Sequence, residues 1–144
     1  MKRIVLILAF CLTCDATVFP QRMEYGKPSE LRGVTKIFVG TEGDLEIHDR
    51  LVEEIKKQLP ALEITDRRED AEVIVGFSQE SGSGPYIHSA VGSGSVMKRV
   101  GEGRVRLILQ WRGSKRNIFQ KEPVRNFAQE FAKAYRKANG IKEK

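Results

Sequence analysis

Hydrophobic positions follow two rhythms along this chain, and the changes between them mark its elements. Val34-Thr35-Lys36-Ile37-Phe38-Val39 is rich in β-branched residues and closed by Gly40, which predicts a strand. Ile47, Leu51, Ile55 and Leu59 then recur every fourth residue with Val52 beside them. This predicts a helix opened by Asp44 as N-cap and stopped by Pro60, with Glu46, Asp49, Arg50, Glu53 and Lys57 on its wet face. A short strand follows over Leu62-Glu63-Ile64-Thr65. Ala71-Glu72-Val73-Ile74-Val75-Gly76-Phe77 is a third strand, and its nearly continuous apolar centre suggests an interior place in the sheet. Ser95 to Val100 and Arg104 to Arg112 form a hairpin around Gly101-Glu102-Gly103. In its second arm Val105, Leu107, Leu109 and Trp111 share one face, and Arg104, Arg106, Ile108, Gln110 and Arg112 the other. The last element is a helix entered at Pro123 and ended by Asn139-Gly140, with Val124, Phe127, Ala128, Phe131, Tyr135 and Ala138 along one stripe.

The order β-α-β-β-β-β-α is that of an α+β fold. The expected architecture is a two-layer sandwich, a mixed sheet with both helices on one face and a parallel first β-α-β unit. A single domain over residues 34–140 follows, preceded by a loose lead-in at 17–33 and trailed by a basic tail at 141–144. Phe131 and Tyr135 should pack on Val105, Leu107 and Trp111. The Gly- and Ser-rich run from Ser81 to Ser95 reads as a mobile loop.

Residues 1–16 change the picture. Lys2-Arg3 followed by an unbroken apolar run from Ile4 to Leu12 is the pattern of a secretory signal peptide, too short for a membrane span. Cys14 sits where a lipoprotein carries its lipidated cysteine, although Cys11 and Thr13 depart from the usual residues around that site; plain cleavage near Ala16 is the alternative. From Asp15 onward the chain has no cysteine, so its body holds no disulfide, thiol nucleophile or cysteine-based metal site.

Charge is uneven. The whole chain is +6, but residues 98–144 hold 14 basic and 4 acidic residues while residues 15–97 hold 9 and 15. Such asymmetry suits a surface for an anionic partner. With the even-numbered side of the second hairpin arm open, Arg104, Arg106 and Arg112 would line one sheet face. Arg99 would join them opposite Arg106, a candidate site for an anion or a partner protein.

The succession Gly33 to Val39, amphipathic helix, short strand and Asp70-Ala71-Glu72-Val73-Ile74-Val75 resembles small bacterial envelope domains: the TolB N-terminal domain and the LpoB- and CsgG-type lipoproteins. The resemblance covers residues 33–138 in outline and implies an assembly or regulatory factor acting through protein contacts. It transfers no site residue.

Catalytic patterns are weak. His48 and His88 are the only histidines, and neither has a second His or Cys at ligand spacing. Ser83 and Ser93 have glycines on both sides but no strand-to-helix elbow. Gly40-Thr41-Glu42-Gly43 lacks the lysine of a phosphate loop and carries Glu42 instead. No catalytic, cofactor or metal residue is assigned. The expectation is an exported, non-enzymatic envelope protein or lipoprotein that binds an envelope protein or an anionic envelope component. It uses no small-molecule cofactor and meets the membrane only through a lipid anchor. A small secreted hydrolase or transferase is one alternative. A nucleic-acid binder is another, if residues 1–16 are misread, although Trp111 on the core side leaves no exposed stacking platform.

Overall fold

The computed structural model describes residues 23–42, 45–84, 87–101, 103–115 and 122–142. The proposed signal segment, Cys14 and the Asp44 cap lie outside them. Six strands and two α-helices follow one another: β1 (Glu24–Tyr25), β2 (Lys36–Thr41), α1 (Leu45–Gln58), β3 (Glu63–Thr65), β4 (Val73–Gly84), β5 (Ile87–Gly101), β6 (Arg104–Lys115) and α2 (Pro123–Asn139). The sheet order is β1-β6-β5-β4-β2-β3. β2 pairs in parallel with both β3 and β4, β1 is parallel to β6, and β4-β5-β6 form an antiparallel meander. This is the expected α+β sandwich, with β4 in the sheet interior.

One face of the sheet carries Ile37, Val39, Val73, Val75, Phe77 and Val96, and both helices pack on it. α1 contributes Leu51, Ile55 and Leu59, the fourth-residue repeat that its sequence shows; α2 contributes Val124, Phe127, Ala128, Phe131 and Ala132. Pro123 occupies the first turn of α2, and Gly140 ends it in the left-handed region at φ 67°. Arg136 of α2 donates to the Gln58 carbonyl at 2.8 Å, satisfying an orphan acceptor at the end of α1.

Three expectations change. The described residues of the Ser81–Ser95 run are strand, not loop: β4 and β5 pair from Val73↔Lys98 to Gly84↔Ile87 as a long hairpin. The glycines have a packing reason. A Cβ at Gly94 would stand 2.4 Å from Phe127 ring atoms, and one at Gly92 would stand 2.6 Å from Pro123 Cβ. Bare backbone at these two helix-facing positions lets α2 settle on the strand.

The part of the lead-in that the structure describes is built into the fold. β1 adds to the sheet, a 3-10 turn spans Pro28–Leu31, and Leu31 and Val34 are buried. Asn139 holds this segment: its Oδ1 accepts from Gly33 N at 2.9 Å, and its Nδ2 donates to the Leu31 and Tyr135 carbonyls. Tyr135 adds a bond from its hydroxyl to the Val34 carbonyl at 2.8 Å.

The third change is in β6. Val96 lies opposite Leu109 and Met97 opposite Leu107, so Ile108 is an unmatched bulge residue. The bulge resets the alternation. Leu109 and Trp111 face the helices as expected, and Ile108 joins the core, but Leu107 and Val105 turn to the other face. Trp111 therefore meets Phe127 (5.9 Å between ring centres) and Phe77 (6.4 Å), while Phe131 packs against Tyr135 (6.4 Å).

Candidate functional site

The sheet face away from α1 and α2 holds the most unusual arrangement. Phe38 lies opposite Ile74, Ile74 opposite Met97, Met97 opposite Leu107, and Leu107 opposite Tyr25. Five adjacent strands thus contribute one apolar residue each to a single unbroken row. Four strand spacings make it roughly 19 Å long. Within the row Ile74 is 5% and Leu107 8% exposed; at the end Tyr25 is 76% exposed. The next row on this face is Gly40, Gly76, Ser95 and Gln110, and beyond it Ser78, Ser93 and Arg112, with Ser78 and Ser93 sharing a 2.8 Å hydrogen bond. The apolar row is a band beside these small and polar rows, with Val105 and Val91 the further apolar residues on the face.

The four arginines picked out from the sequence are not gathered on this face. The bulge turns Arg104 and Arg106 toward the side of the 3-10 turn Pro28–Leu31. There Arg104 pairs with Glu24, and Arg106 bonds Glu24 at 3.0 Å and Glu30 at 3.5 Å. Those guanidiniums hold the Glu24 carboxyl below the usual carboxylate range. A second irregularity at Val100 sets Arg99 opposite Val105, not Arg106; Lys98 takes the position opposite Arg106. Arg99 donates to the carbonyls of Arg68 and Glu69 in the 3-10 turn Arg68–Asp70. Of the four, Arg99 and Arg112 share the open face, Arg99 opposite Val105 at one end and Arg112 near the polar rows, opposite Ser93.

The remaining polar clusters serve the fold. Glu72 accepts from Thr35 N (2.9 Å), Thr35 Oγ1 (2.9 Å) and Lys36 N (3.1 Å), tying the entry of β2 to β4. Thr35's backbone N–H leads the causes that lower its pKa. His48 Nδ1 lies 3.3 Å from its neighbour Asp49. Among the described residues no cluster of three or more His, Cys, Asp or Glu side chains is arranged to hold a metal ion. A cleft of about 570 Å³ opens beside the short strand β3, lined by Phe38, Leu45, His48, Val52, Lys56 and Ile64 among others. Among the described residues no helix is long and apolar enough to cross a membrane.

Sequence reasoning missed the apolar row because its members lie on five separate strands. A signal was present: Ile37-Phe38-Val39 and Val73-Ile74-Val75 are apolar on both sides, the pattern of strands whose two faces are both covered.

No protein-family model matches the sequence, and neither does any curated protein. Among solved structures the chain is similar to a PelC dodecamer from Paraburkholderia phytofirmans, at 9% identity over 81% of this chain and 93% of that one, with a TM-score of 0.46. It is similar also to a minor lipoprotein from Acinetobacter baumannii, at 11% identity over 71% and 90%, with a TM-score of 0.36. An uncharacterised protein aligns at 14% identity over 83% and 89%, with a TM-score of 0.39.

Proposed function

We propose that this is an exported, non-enzymatic envelope protein that works by holding another envelope protein on the sheet face away from α1 and α2. One observation carries the binding half of this reading. Strands β2 and β4 are apolar on both faces, and the row Phe38–Ile74–Met97–Leu107–Tyr25 lies on the face away from α1 and α2, where among the described residues no α-helix packs over it and Tyr25 stands 76% exposed. Ile74 (5% exposed) and Leu107 (8%) are already largely out of water, so a protein surface docked here gains chiefly at the row's exposed end, Tyr25 at 76%. Exposed apolar surface beside such a row marks an interaction site. The charged residues support a protein partner over an anionic polymer, because Arg104 and Arg106 are already neutralised by Glu24 and Glu30. Export rests on the pattern of residues 1–16, and lipidation at Cys14 remains part of the proposal.

Two measurements test it. Mass spectrometry of the mature N-terminus gives a diacylglyceryl Cys14 or a start near Thr17 if the protein is exported; an intact Met1 rejects export. A photo-crosslinking amino acid at Tyr25 or Val105 should capture a defined envelope protein in cells. The same group at Lys133, exposed on α2, should not. Equal capture from all three positions, or none from any, rejects the open face as the docking surface.

A further inference from the structure

β6 is twelve residues long, but its outer neighbour β1 covers very little of it. β1 pairs only at Glu24↔Arg106 and Tyr25↔Leu107, a last bond runs from Gly26 N to the Leu107 carbonyl, and the chain then leaves for the 3-10 turn. From Leu109 to Lys115, β6 pairs on its inner side with β5 and has no strand on its outer side among the described residues. Unpaired edges of this length are templates for another extended chain.

The side chains along this edge state what would fit. Toward the helices stand Leu109 and Trp111, both only partly buried and both packed on the core cluster. Toward the open face stand Gln110, Arg112 and Ser114, while Lys115 closes the end. Among the described residues Arg112 and Lys115 have no ion-pair partner. A strand added here alternates its side chains in step with β6. Apolar residues would fall beside Leu109 and Trp111, and acidic ones beside Arg112. The same charges oppose a second copy, because two antiparallel β6 edges would bring Arg112 near its own counterpart.

We propose that the outer edge of β6 from Leu109 to Lys115 accepts an extended segment of a partner protein in which apolar and acidic residues alternate. This deepens the protein-binding reading above and rests on it. The main-chain bonds supply the attachment, Trp111 the apolar pocket wall, and Arg112 the choice of sign.

The test uses the purified protein with two heptapeptides, one alternating Val and Glu and the other alternating Val and Lys. Trp111 is the only tryptophan of the chain, so its emission reports directly on this edge. The Val–Glu peptide should shift that emission to the blue and slow amide exchange from Leu109 to Lys115, and the Val–Lys peptide should do neither. Arg112→Glu should weaken the Val–Glu peptide roughly two- to fivefold, the size of one partly exposed ion pair, and favour the Val–Lys peptide. Binding of neither peptide, or equal binding of both, overturns the proposal. So does protection of these amides in the free protein that rises with protein concentration, which would assign the edge to a second copy. If crosslinking from Tyr25 and Val105 succeeds while the peptides fail, this inference falls and the open-face reading stands.

Discussion

Gly94→Ala decides whether the Gly-Ser run is a strand under a helix or a free loop, because the two readings predict opposite signs. Gly94 has no positive φ, so alanine can adopt its backbone conformation. In a loop that change would stabilise the protein by about 0.4–1 kcal/mol through the unfolded chain. In this fold the new methyl would stand 2.4 Å from Phe127 Cδ2 and Cε2 and 2.6 Å from Cζ, whereas ordinary contact begins near 3.4 Å. The ring would have to retreat by about 1 Å. It has little room, since Phe127 is fully buried, stacked on Phe77 at 5.3 Å and held by Trp111 at 5.9 Å. Overpacking of this kind costs about 1–3 kcal/mol. The net expectation is a loss of about 1–2 kcal/mol, seen as a fall in Tm of roughly 3–6 °C per kcal/mol for a domain of this size. Gly82→Ala is the control: among the described residues its Cβ meets Ser89 Oγ alone, at 3.1 Å, and a near-neutral effect is expected. Adding Phe127→Leu to Gly94→Ala should cost less than the sum of the two single changes, with a coupling of about 0.5–3 kcal/mol. A Gly94→Ala protein as stable as the parent, or more so, would refute the packing argument.

Further outcomes follow from the same geometry. Phe131→Ala, at a ring with 1% exposure, should lose about 3–5 kcal/mol in a denaturant melt; a loss under 1 kcal/mol would remove that ring from the core. Amides from Val91 to Val96, inside the long hairpin, should exchange as slowly as those of β4, and rapid exchange there would restore the loop. Glu72 has its carboxyl pKa lowered by the Thr35 and Lys36 donors, so its contribution is present at neutral pH and is lost as pH falls through the lowered value. Glu72→Gln should therefore flatten the acid limb of a stability-versus-pH curve, and an unchanged limb would assign acid sensitivity elsewhere. Glu24→Gln should speed exchange at Gly26 N by loosening the Arg104 and Arg106 contacts that hold β1, and unchanged exchange would show that β1 stands without them.

Where one face of an element decides its environment, the sequence was legible. The four-residue repeat of α1 and the aromatic stripe of α2 predict helices and buried faces that the structure reproduces, including the stops at Pro60 and Gly140. In the Gly-Ser run composition points to a loop while alternation points to a strand, and alternation prevails. Val91-Gly92-Ser93-Gly94-Ser95 puts glycine at every helix-facing position and a larger residue at every open one, a period-2 pattern with the smallest side chain toward the core. Glycine here is not flexibility but clearance for Phe127 and Pro123.

The candidate site was hidden for a different reason. A strand's two faces can be read from alternation only while the register holds, and one inserted residue exchanges them. Arg104, Arg106, Gln110 and Arg112 alternate without interruption, and nothing local to them marks Ile108 as the position where the count resets. The reset is a tertiary choice. Ile108 goes into the core, which leaves Leu107 outward to complete the apolar row with Met97 and Tyr25. It also turns Arg106 inward to meet Glu24 and Glu30, residues about eighty positions earlier in the chain. The bulge thus exchanges a basic face for an apolar band. It stands beside the point where β1 leaves the sheet, so the apolar row and the outer β6 edge meet at Leu107.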